Sequence, residues 1–219
     1  MNKKNSYIIS RWKKDYAFRT FVNSFGAVLI TIIFALYNGY IGLSHQSAWH
    51  GSICIYYLLL ILIRGAVIFS ERSNARKNGA EAASQERKTV LLMASVSLFL
   101  LNLSLIGPFA LMVKQERPVG ITLIPAIAMA AYTVYKVVIG SLNLKKNRSE
   151  GLPVRFLRKI NFMDALVSIV TLQNTLIMVS TSGDKRTMLP LTAVSSGLIW
   201  AAIVILSILN LMQTVKRKA

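Results

Sequence analysis

Residues 20–63 read TFVNSFGAVLITIIFALYNGYIGLSHQSAWHGSICIYYLLLILI, from Thr20 to Ile63 without one Lys, Arg, Asp or Glu. A helix crossing the hydrocarbon core needs about 20 apolar residues. The stretch therefore holds one whole span, about 20–43, and most of a second, about 48–70, with Arg64 near the end of the latter. The polar residues Ser44-His45-Gln46-Ser47 make the turn between them. Outward from this pair, four further apolar runs follow at about 89–113, 119–142, 160–181 and 190–212. The third and fourth are joined by Lys114-Gln115-Glu116-Arg117-Pro118, where the proline ends helical continuation, and the fifth and sixth by Ser182-Gly183-Asp184-Lys185-Arg186. The fold class expected is an all-α membrane protein of six transmembrane helices arranged as three helical hairpins, a single domain over 1–219.

Composition supports this and excludes the soluble classes. Hydrophobic residues make up 54% of the 219, charged residues only 16%, and the mean hydropathy is +0.51. A net charge of +18 would suggest nucleic acid in a soluble domain. Here the charges fall in the gaps between apolar runs, which points to a membrane and not to nucleic acid. Twenty of the 26 basic residues lie in the N-terminal segment, the 71–88 and 143–159 connections and the tail. Only Lys114, Arg117, Lys185 and Arg186 lie in the alternate connections. By the positive-inside rule both termini are cytoplasmic, which an even number of spans requires.

The leader 1–19 does not read as a signal peptide, because its apolar run starts too late and is too long. Ile8, Trp12 and Tyr16 recur every four residues among Arg11, Lys13 and Lys14. They suit a helix lying in the interface with its cations at anionic headgroups; an ordinary solvated basic leader is the plainer reading. The lipid bilayer, with anionic headgroups on the cytoplasmic side, is the expected partner.

The hairpin ends echo one another. Arg87-Lys88-Thr89 resembles Arg158-Lys159-Ile160, Gly140-Ser141-Leu142-Asn143-Leu144 resembles Ser207-Ile208-Leu209-Asn210-Leu211, and Gly65 holds the place of Gly140. A period near 70 residues would make the hairpins three copies of one unit, and would turn Tyr57 and Tyr132 alike into the bundle; chance likeness of apolar segments is the alternative. Ala193, Gly197 and Ala201, and likewise Thr122, Ala126 and Ala130, mark expected close-packing faces. Pro125 is expected to bend the fourth helix, and Pro108 sits near the end of the third.

Catalytic signatures are missing: there is no Gly-rich phosphate loop, no HExxH, no GxSxG and no paired carboxylates, so no enzyme activity, cofactor or metal is expected. His50 and Cys54 share one helical face but lack a third ligand, and the plain reading puts Trp49 beside them in the aromatic belt at the membrane surface. The informative residues are polar ones inside spans. Asn38, Asn102, Gln173 and Asn174 are candidates to line a pathway, with interhelical hydrogen bonding as the plainer role. Arg64, Lys136 and Asp164 fall at similar depth from the cytoplasmic side, within roughly 6–10 Å of it at 1.5 Å per residue. They are expected to form one intramembrane polar cluster.

Phe34-Ala35-Leu36-Tyr37-Asn38-Gly39, Ser47-Ala48-Trp49 with Tyr56-Tyr57 and Arg64, Ala130-Ala131-Tyr132 with Lys136, and Asp164-Ala165-Leu166-Val167-Ser168 with Leu172-Gln173 resemble a family of small integral membrane proteins of clostridia and related Gram-positive bacteria. The resemblance implies an intact bacterial plasma-membrane protein and carries over no catalytic or binding residue. Together these readings lead to transport of a small solute or ion. The rival is a structural or regulatory membrane protein that binds anionic lipid or a protein partner through its basic cytoplasmic face.

Overall fold

A computed structural model describes residues 16–74, 80–114, 123–145, 151–179 and 185–216. They form α1 (Tyr16–Ser44), α2 (Ala48–Asn74), α3 (Ala80–Ser104), α4 (Ile106–Lys114), α5 (Leu123–Lys145), α6 (Leu152–Val179) and α7 (Lys185–Lys216). Most of the leader, residues 115–118 of the connection after α4, Thr122, and residues 182–184 lie outside the described residues. Five segments are long and apolar enough to cross a membrane: Phe25–Ser44, Ala48–Ser73, Gln85–Ala110, Ala126–Leu144 and Pro190–Lys216. Their outward faces carry large exposed apolar side chains, such as Leu36 and Leu43 on α1, Leu62 and Phe69 on α2, and Leu191 and Leu198 on α7. So much contiguous apolar surface belongs to a membrane-embedded protein.

Several helix ends differ from the sequence expectation, each for a local reason. The third apolar run is split at Leu105 because Pro108 has no N–H for the carbonyl of Ser104; α4 restarts with Phe109 N–H donating to Leu105 O at 3.1 Å. Pro125 does not interrupt its helix, since α5 begins at Leu123 and the proline falls in the first turn, where no intrahelical donor is required. The run at 185–189, expected as loop, opens α7. α6 begins eight residues before the expected start at 160, so Arg155, Arg158 and Lys159 stand on its first two turns and not in a loop.

α6 is also the central element. It packs against α5, α7, α1 and α2, and Leu157, Ile160, Met163, Val167 and Val170 on it are all buried. It lies outside the five apolar segments because Arg155, Arg158, Lys159 and Asp164 and its Ser, Thr, Asn and Gln residues make it too polar, though Arg158, Asp164, Ser168, Thr171 and Asn174 among them are buried. Two of the three expected hairpins pack as pairs, α1 on α2 and α6 on α7; the middle one does not, since α3 lies against α2 and α7 and not extensively against α5, which packs on α6. The repeat also fails to equate its glycines: Gly140 is seated on Phe162 and Ala165 of α6, while a Cβ on Gly65 would meet nothing within 4 Å. The small-residue face of α7 is another correction. Gly197 and Ala201 are exposed, and α7 buries Ser196, Ile203, Ser207 and Asn210 instead. Hydroxyls and amides on that side can bond across the interface, an attraction that small apolar residues cannot supply in lipid.

The tightest crossing is between α1 and α2. The turn at 45–47 holds Gln46 at a φ of 49°, and Ser47 N–H donates to Gly42 O at 3.0 Å. A Cβ on Gly42 would lie 2.9 Å from the backbone nitrogen of Gly51, and one on Gly39 would lie 3.1 Å from Cys54 Sγ. Close backbone approach here brings the start of α2 hard against the end of α1. At the other end of α2, Arg87 clamps Glu71 through Nε and Nη2 at 2.6 and 3.0 Å, tying α2 to α3.

Candidate functional site

The structure brings the three expected charges together. Asp164 on α6 accepts from Arg64 Nη2 on α2 at its Oδ2 and from Lys136 Nζ on α5 at its Oδ1, both at 2.7 Å. Arg64 and Asp164 are 0% and 1% exposed, and Lys136 is 10% exposed. Arg64 Nη1 donates to Thr31 Oγ1 on α1 at 3.1 Å, so the cluster ties four helices. Ser168, one turn beyond Asp164, accepts a second bond from Lys136 Nζ at 2.7 Å while donating to the Asp164 carbonyl at 2.8 Å. One carboxylate thus faces two cations, and Arg64 Nε is buried with no hydrogen-bond partner. Burial in low dielectric makes such charges expensive unless each is paired.

An aromatic layer lies next to the cluster. The rings of Phe34 and Tyr132 stack at 5.2 Å, Tyr57 is 6.5 Å from Phe34, and Lys136 Nζ stands 5.3 Å from the Tyr132 ring centre. Tyr57 is buried and lines one small void with Ser168 and Thr171; Tyr132 is half-buried. Both face inward, as the sequence comparison of helices two and four expects.

On the far side of this layer is a cavity of about 360 Å³. It exists because α1 and α5 both rest on α6 without packing extensively on each other. Its walls are largely apolar and aromatic, with Asn38, His50, Thr171 and Thr175 as polar points, and the exposed Ile33 and Ala128 stand at its side. A much smaller void of about 10 Å³ shares Phe34, Met129, Tyr132 and Thr171 with it and reaches Tyr57, Thr133 and Ser168. The buried hydroxyl of Thr133 has no partner there. Phe34, Met129, Tyr132 and Thr171 thus form the partition between the large cavity and Ser168, the hydroxyl that holds Lys136.

Of the four pathway candidates, Asn38 lines the cavity, its Nδ2 donating to Phe34 O at 2.8 Å. Asn102 is elsewhere. It donates to Ser207 Oγ at 2.7 Å, accepts from Tyr56 hydroxyl at 3.3 Å, and its carbonyl accepts from Trp200 Nε1 at 3.1 Å, a knot joining α2, α3 and α7. Gln173 bridges α6 to α7 through Ser195 and Ser196. Asn174 is buried on α6 outside the cavity wall. Thr171, a polar residue of the fifth span that its sequence position already marks as able to line a pocket, does line the cavity; Thr175 beside it escapes the sequence reading, because a threonine on an apolar helix bonds back to the carbonyl one turn earlier, as both do here, and carries no outward signal.

Trp49 is not in a surface belt. It is 1% exposed, packs on Phe109 at 6.3 Å and closes the cavity beside His50, whose Nδ1 pairs with Ser47 Oγ at 2.8 Å. Among the described residues no three His, Cys, Asp or Glu side chains are grouped to hold a metal.

Fold and site together define an α-helical membrane protein with a buried ionic cluster close to a cavity between its helices. In comparisons with known proteins, no protein family, no curated protein and no solved structure matches the chain.

Proposed function

We propose that the protein moves a small solute or ion across a bacterial plasma membrane, with the cavity as its binding chamber and the Arg64–Asp164–Lys136 cluster as its inner gate. One observation carries this reading: the cavity of about 360 Å³ and the small void at Ser168, whose hydroxyl holds Lys136, share a wall made by Phe34, Met129, Tyr132 and Thr171. A ligand that displaces Tyr132 gains access to a lysine already bonded to movable hydroxyl and carboxylate partners. Ionisable residues within spans are costly, and in transporters they mark pathways. In this proposal α6 also crosses the membrane, as the fifth of six spans in chain order, its charges shielded by neighbours, and both termini are cytoplasmic.

The rival reading is a structural or regulatory protein in which the cluster only fastens four helices. Its support is the complete burial of Arg64. Thermal unfolding of the purified protein against panels of amino acids, organic anions and inorganic cations separates the two. Under the transport reading one class stabilises the fold, by about 2.7 kcal/mol at a hundredfold excess over its Kd, and Ala128→Trp, which fills the cavity from its side, abolishes the effect. No stabilisation by any class, with the fold intact, favours the rival.

Orientation has its own expected result. Alkaline phosphatase fused after residue 80 or 150 is inactive, and fused after Gln46 it is active; the reverse pattern would overturn the assignment of cytoplasmic termini.

A further inference from the structure

The end of the bundle where α6 begins and α7 finishes holds a second polar site, unconnected with the cavity. Arg155 and Lys159 stand four residues apart on one face of α6, beside Asn210, Gln213 and Thr214 of α7. Lys159 Nζ donates to Asn210 Oδ1 at 3.0 Å and to Gln213 Oε1 at 2.8 Å. With its oxygen taken by the lysine, the Asn210 side chain presents its nitrogen on the opposite side. That Nδ2 is buried with no partner, on a residue only 3% exposed that lines the cleft. An amide N–H held out of water without an acceptor is costly, and so marks a place where an acceptor belongs.

The chemistry of the lining identifies that acceptor. It includes two cations and no carboxylate, so the cleft favours an anion. Its room, about 20 Å³, admits one oxygen-sized group and no more. Leu91, Leu152 and Phe156 form its apolar wall. Thr214 Oγ1 is already engaged with Asn210 O at 2.9 Å and Ser95 Oγ at 3.1 Å, which holds α3 and α7 in register behind the cleft.

We propose that this cleft binds a phosphate group, one oxygen entering to accept from Asn210 Nδ2 while Arg155 and Lys159 balance the charge at its mouth. The same chemistry is offered by a phospholipid headgroup or by free phosphate. The apolar wall and the basic end of the bundle suit the lipid, whose glycerol and chains would lie along Leu152 and Phe156. The site does not depend on the transport reading.

The test uses full-length protein in a neutral detergent, with lipid retention followed by native mass spectrometry and unfolding followed by temperature. Probes are phosphatidylglycerol, phosphatidylcholine and inorganic phosphate. Phosphatidylglycerol is expected to remain as one adduct and to raise the unfolding temperature. Asn210→Asp keeps an oxygen for Lys159 but replaces the donor by a negative acceptor, and should weaken retention at least tenfold. Arg155→Gln with Lys159→Gln should do the same, while Lys88→Gln, a basic residue outside the cleft, should not. Stabilisation by inorganic phosphate with no lipid retained, lost in Asn210→Asp, supports the phosphate site with free phosphate as its source. Equal retention of phosphatidylcholine and phosphatidylglycerol, indifference to Asn210→Asp, or an equal loss in Lys88→Gln overturns the proposal.

Discussion

Asp164→Asn is expected to cost about 3–5 kcal/mol of folding stability, among the largest effects of any single substitution in this chain. The reason lies in numbers of charges. Asp164 is the sole carboxylate between Arg64 and Lys136, and both contacts are 2.7 Å. Its amide replacement can accept hydrogen bonds but leaves two buried cations facing each other. Lysine can shed its proton or swing its four-carbon stem outward; the guanidinium can do neither, with Arg64 at 0% exposure. Arg64→Gln in the Asp164→Asn background should therefore restore part of the loss, with a coupling of about 0.5–3 kcal/mol. Lys136→Gln should restore less. Denaturant unfolding of the four combinations reads both terms, and simple additivity for the two pairs would show that the charges do not stabilise one another.

Gly42→Ala is the second large effect, expected to cost about 1–3 kcal/mol although it adds a single methyl group. The new Cβ would sit 2.9 Å from Gly51 N and 3.2 Å from Gly51 Cα, backbone atoms that cannot rotate away. α1 and α2 must separate, opening the end of the cavity that Trp49 and His50 close. Gly65→Ala provides the matched control. Its Cβ meets nothing within 4 Å on the outside of α2, so better helix propensity alone leaves stability unchanged or raised by about 0.5–1 kcal/mol. Equal losses at the two sites would mean that the crossing does not depend on close backbone approach.

The residues that could be read from sequence were those whose cost in lipid is independent of their neighbours. Apolar runs announced six spans, five of which are long and apolar enough to cross a membrane, and three charges at equal depth announced that they would meet. Neighbour choice was not legible in the same way. An apolar helix face looks alike whether it meets lipid or another helix, so nothing in α3 indicated that it would lie against α7 and not α5. Asn102 and Asn38 are the same residue type within similar spans, yet one knots three helices and the other faces a cavity. What separates them is the position of Ser207 and Trp200, far along the chain. Trp49 misled because tryptophan at a span end is ordinarily a surface anchor. The close passage of Gly42 over Gly51 draws it inward. The extension of α6 to Leu152 was hidden because three cations on its first two turns resemble a loop unless the helix beside them supplies Asn210 and Gln213.

The partner of Arg64 is 100 residues further along the chain. At the usual 5–20 residues per second of ribosomal synthesis, Asp164 is made about 5–20 s after the arginine. During that interval α1 and α2 are already translated, and Lys136, made before Asp164, adds a second cation without relief. The nascent protein must therefore keep Arg64 at the lipid–water boundary, or sheltered by the insertion machinery, until α6 is delivered. α6 in turn is poorly suited to enter lipid by itself, with Asp164 and a row of hydroxyls along it. The ionic cluster thus acts as a late assembly step: α1 and α2 wait for α6, and a chain truncated before Asp164 presents the cell's quality-control proteases with a stranded arginine.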